Sequence, residues 1–103
     1  MKTTRLPHRT PTEKILNLLR TFRCLEKSFN SWRPKVFDPE EFYTLADGLP
    51  RGEKLCALFL LTVWNPSYAR ERGWEFNVME FANAADDDAK AAFTVWLIQP
   101  VWP

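Results

Sequence analysis

The sequence predicts a small all-α domain, and three observations carry that prediction. Apolar residues recur every three or four positions along much of the chain, the spacing of one helix face. The pairs Thr10-Pro11, Asp38-Pro39 and Asn65-Pro66 read as helix starts, because each side chain can accept from an orphan N–H and proline suits the first helical position. Three glycines stand against eight prolines, too few for the many left-handed turns of a sheet protein. The expected architecture is about five short helices packed around a central apolar helix at 55–64. The alternative is an α+β domain with a short strand pair, 62–64 against 93–98, since Thr, Val and Trp are content in either state.

Residues 1–9 are polar, basic and broken by Pro7, and read as a flexible basic arm ahead of a single domain at 10–103. Thr10 and Glu13 then form a capping box for a first helix over 11–32. Its apolar stripe is Ile15, Leu18, Leu19, Phe22, Leu25, Phe29 and Trp32, with Arg20, Arg23 and Lys27 on the opposite face. Asp38 caps a second helix over 39–47, expected to bury Phe42 and Leu45 and to stop at Gly48.

The third helix, 51–64, contains the most unusual stretch. Nine of the ten residues from Leu55 to Trp64 are apolar, so no face is left for water and the rest of the chain must enclose it. It falls well short of the roughly 20 apolar residues that span a bilayer. A short helix over 66–72 closes at Gly73, and the next is expected to run to 83 with Trp74, Val78, Met79 and Phe81 inward. Asp86, Asp87 and Asp88 place carboxylates at the start of a last helix over 87–99. Its inward residues are expected to be Ala89, Ala92, Phe93, Trp96 and Leu97. One faint echo links the third and last helices: Thr62-Val63-Trp64 returns as Thr94-Val95-Trp96.

Catalytic raw material is scarce. The single histidine, His8, lies in the arm, where no frame would hold an imidazole in a relay. Cys24 and Cys56 lack the spacing of a metal knuckle or disulfide framework and read as inert free thiols in a reducing, cytoplasmic setting. The stretch Arg51-Gly52-Glu53-Lys54 lacks the second glycine and the hydroxyl of a phosphate loop. No catalytic, cofactor-binding or metal-binding residue is expected, and the N-terminus shows no secretory signal or membrane segment.

Charge and aromatic content point to binding instead. Residues 1–35 carry nine Lys or Arg against two acids, while 36–103 carry five against eleven. The expected function is a small cytoplasmic, non-catalytic interaction module, a regulator or inhibitor that docks on a larger macromolecule. Arg5, Arg9, Arg20, Arg23 and Lys27 form the basic face for an acidic protein partner. Trp32 and Trp102 are the expected aromatic anchors, whereas Trp64, Trp74 and Trp96 are expected in the core. The same arm and first helix would serve the alternative, a nucleic-acid-binding regulator. Pairing between two copies of the chain is a further use of such complementary surfaces.

Overall fold

A computed structural model describes residues 10–103, so the basic arm with Arg5, His8 and Arg9 lies outside the described residues. Among the described residues there are seven helices and no strand: α1 (Pro11–Thr21), α2 (Arg23–Ser28), α3 (Pro39–Ala46), α4 (Arg51–Trp64), α5 (Pro66–Glu71), α6 (Val78–Ala84) and α7 (Asp87–Ile98). The all-α reading holds at this level, and the paired-strand alternative does not. Both 62–64 and 93–98 are helical.

The cap–proline pairs act as their chemistry requires. Thr10 accepts from the Glu13 N–H while Glu13 accepts from the Thr10 N–H. Asp38 accepts from Glu40 N and Asn65 from Tyr68 N. Asn77 and Asp86 cap α6 and α7 without proline.

The first helix is not continuous to Trp32. Phe22 adopts an extended backbone (φ −95°, ψ 102°), ending α1 and starting α2, which itself stops at Ser28. No proline or glycine marks the break. Thr21 returns its hydroxyl to the Leu18 carbonyl, and the Phe22 side chain is fully buried with its ring 5.8 Å from Phe59. Burial of that ring outweighs one turn of helix regularity.

Further expectations need correction. Leu45 is exposed and Ala46 takes the inward position of α3, while the helix ends at Asp47 in a right-handed conformation without a left-handed Gly48. The segment at 74–77 is not helical. It follows the left-handed Gly73 (φ 76°), delivers Trp74 into the core as a single buried ring, and leaves Val78 and Met79 of α6 exposed. On α7, Leu97 faces outward. Trp64 and Trp96 are half-buried where full burial was expected.

Packing runs through α4, which contacts α1, α2, α3, α5 and α6. Seven of its 14 residues are buried. Two aromatic clusters flank it. Phe29, Trp32, Phe37, Phe42 and Trp64 interlock at one end, with Phe37 and Trp64 ring centroids 4.7 Å apart. Phe22, Phe59, Phe76, Phe81, Phe93 and Trp96 fill the other, where edge-to-face contacts on Phe59 carry α7. Buried Thr12 accepts through its Oγ1 from Phe37 N at 2.8 Å, fastening the α2–α3 connection to α1.

Candidate functional site

The helix that packs least completely is the last one. α7 has the sequence Asp-Asp-Ala-Lys-Ala-Ala-Phe-Thr-Val-Trp-Leu-Ile, apolar on nearly every face after its first turn, yet only Ala89 is buried. Ala92, Phe93 and Trp96 rest partly on the core, whereas Val95, Leu97 and Ile98 are 67%, 55% and 79% exposed. A helix apolar all round belongs inside a protein or against a partner. Ala91, Val95 and Ile98 follow i, i+4, i+7 spacing and so form one outward row.

Beside that row, an apolar groove of about 690 Å³ lies between α1 and α7. Leu18, Ala92, Val95 and Trp96 line its floor and walls, and Lys14, Arg23 and Asp88 stand on its rim. The chain beyond α7 closes one end. Trp96 Nε1 donates to the Val101 carbonyl at 3.2 Å, and the Trp102 ring sits edge-on to Trp96 at 5.1 Å. Trp102 itself is 56% exposed. The groove, the outward row and Trp102 are therefore neighbours on one face.

The basic residues are distributed differently from one helix stripe, because the break at Phe22 separates Arg20 from Arg23 and Lys27. Arg23 turns to α7 and pairs with Asp88 at 3.7 Å. Arg20 is held by Asn17 and shares a smaller groove of about 290 Å³ with Lys27, Arg33 and Trp32. Trp32 is half-buried there, stacked on Phe42 at 5.6 Å, so much of its ring belongs to the core edge. Arg5 and Arg9 lie outside the described residues.

Among the described residues the ion pairs engage Arg23, Arg51, Lys54 and Arg72, and none uses Lys14, Arg20, Lys27, Arg33 or Lys35. The α1–α2 surface thus keeps positive charge that its own chain leaves largely uncompensated. A second polar cluster, on the other side of α4, is structural in character. Glu40 accepts from the Tyr68 hydroxyl and from Arg72, which also covers the Trp74 ring. The Glu40 carboxylate raises the Tyr68 pKa above the usual phenol value. Lys54 bridges to Asp47 at 2.7 Å and holds the Asp47 carboxyl below its ordinary range.

Among the described residues no group of three or more His, Cys, Asp or Glu side chains is arranged to hold a metal ion. No helix described is long and apolar enough to cross a membrane. No protein-family model, curated protein or solved structure matches the chain.

The groove could not be placed from the sequence because its walls come from α1 and α7, two segments far apart in the chain. Its signal was nevertheless present. An apolar last helix with no remaining partner segment implied a face left over.

Proposed function

We propose that the protein is a non-catalytic interaction module, a small cytoplasmic regulator or inhibitor that docks a larger protein partner on its α7 face. In this reading α4 is the internal support around which the other helices are organised, and α7 is the working surface. The observation that carries it is the row Ala91, Val95 and Ile98 beside an apolar groove, on a helix with one buried residue in 12. Contiguous exposed apolar surface rimmed by charge is the usual mark of a protein-binding site. Lys14 on the rim, which makes no ion pair among the described residues, favours a partner with an acidic residue flanking an apolar segment. Trp102 supplies a large rigid anchor at the groove's end.

The test starts from a partner captured by cross-linking in the native host. The double change Val95→Asp and Ile98→Asp is expected to leave the helical circular dichroism intact and weaken that partner at least about 100-fold, the loss expected when hot-spot contacts worth about 3 kcal/mol disappear. Unchanged affinity would remove α7 from the site. Self-association abolished by the same change would make a second copy the occupant.

One observation favours a second reading, nucleic-acid binding. Arg20, Lys27 and Arg33 line one groove with the half-buried Trp32 and a single acid, Glu26, so the groove is net cationic and holds an aromatic ring on which a base can stack. Fluorescence anisotropy with a single-stranded oligonucleotide decides it. Binding should fall with salt and with Arg20→Ala plus Lys27→Ala, and no binding at low salt ends this reading.

A further inference from the structure

We propose that Cys24 and Cys56 form a redox-active dithiol: Cys24 attacks a small disulfide, and Cys56 resolves the adduct into a Cys24–Cys56 bond that ties α2 to α4.

The register of the two helices brings the sulfurs together. Ser28 Oγ donates to Glu53 Oε1 at 3.1 Å, joining α2 to α4. One turn back along α2 from Ser28 lies Cys24, and one turn forward along α4 from Glu53 lies Cys56, so antiparallel packing sets the cysteines opposite each other. The Phe22 and Phe59 rings, 5.8 Å apart, fix the same antiparallel register on the other side of the two cysteines. Both cysteines are free.

Their surroundings differ in the way a nucleophile and a resolving thiol require. Cys24 is half-buried and opens on a cleft of about 650 Å³ whose walls include Arg23, Lys27, Ser28, Glu53 and Asp86. Cys56 is fully buried behind it. A hydrogen bond from Cys56 holds the Cys24 thiol below its ordinary pKa, against burial and the carboxylates of Glu53 and Asp86. The same bond, together with burial, keeps Cys56 protonated. Cys24 is therefore the sulfur that becomes a thiolate first and the one a solute can reach.

The chemistry balances with a low-molecular-weight disulfide, RSSR, as oxidant. The Cys24 thiolate forms a Cys24–SR bond as the RS–SR bond breaks, and the departing RS⁻ takes a proton. Cys56 then gives up its proton and attacks the Cys24 sulfur, releasing the second RSH. Two protein thiols are oxidised to one disulfide, and one RSSR is reduced to two RSH. Cys56 needs no access to solvent because its target is the sulfur of the residue opposite it across α2 and α4.

The full chain is incubated with oxidised glutathione, quenched in acid, unfolded, alkylated and weighed. The expected product is lighter by two hydrogens and takes no alkyl group, whereas the untreated protein takes two. Cys56→Ser should accumulate a glutathione adduct at Cys24, having lost the resolving thiol. Cys24→Ser, folded by circular dichroism, should take no adduct at all. Wild-type protein that retains two alkylatable thiols, or stops at a stable glutathione adduct, overturns the proposal. That wild-type measurement decides the matter even if a variant fails to fold.

Discussion

Helices α4 and α7 each carry the tripeptide Thr-Val-Trp near the C-terminal end, and its fate in the two places is opposite. Both threonines return the hydroxyl to the carbonyl four residues back, Thr62 to Leu58 at 2.9 Å and Thr94 to Lys90 at 2.8 Å. The local geometry is the same. Val63 is 3% exposed and Val95 is 67% exposed. Both helices are rich in apolar residues, so composition does not separate them. What separates them is the supply of neighbours. Contacts with α1, α2, α3, α5 and α6 are spent on α4, and α7 is left with α2 and, through Phe93 and Trp96, the rings of Phe59, Phe76 and Phe81. An apolar sequence thus states a need for cover, and the rest of the chain decides whether that need is met within the molecule.

A matched pair of substitutions tests this difference most directly. Val63→Asp places an unpaired carboxylate among buried side chains, at a cost of several kcal/mol against a total stability of about 5–15 kcal/mol. The cooperative urea transition should shift far down or vanish, and a native-like midpoint would contradict the enclosure of α4.

A mid-sized effect is expected at Gly52, where α4 meets the end of α6. An added Cβ would lie 2.6 Å from the Ala84 carbonyl oxygen, so Gly52→Ala must push the two helices apart. A loss of about 1–3 kcal/mol in a denaturant titration is the expected outcome. An unchanged or raised midpoint, as helix propensity alone predicts, would mean that α6 is not seated there.

The smallest effect belongs to Val95→Asp, the counterpart of the first change. Stability should stay within about 0.5 kcal/mol, as at other exposed positions. A collapse comparable to that of Val63→Asp would erase the distinction between the two helices and show α7 to be covered by its own chain.

Much of the helical layout was legible because its signals are local. Thr10-Pro11, Asp38-Pro39 and Asn65-Pro66 announce three helices within a turn of where they begin. Signals that depend on distant parts of the chain were not. Phe22 breaks its helix for a ring contact with Phe59, 37 residues away and unmarked by spacing. Gly52, inside the helix expected over 51–64, is a packing glycine that no local pattern marks, because the Ala84 carbonyl that crowds it comes from another helix. Cys24 and Cys56 looked unrelated until antiparallel packing of α2 and α4 put them face to face. The basic stripe read from 20, 23 and 27 assumed one helix and was divided by the same Phe22. On the α7 face, Trp102 could be named from the sequence, whereas the groove beside it is lined by two helices distant in the chain.

The cap–proline pairs also act on the chain before it folds. Pro11, Pro39 and Pro66 fix φ near the helical value in every conformer, and a capping side chain adjoins each one. The unfolded ensemble accordingly has fewer backbone states to lose at these three helix starts, a saving of about 0.4–1 kcal/mol for each such proline. Folding then begins from a chain whose segment boundaries are already biased, and tertiary contacts have chiefly to orient the pieces.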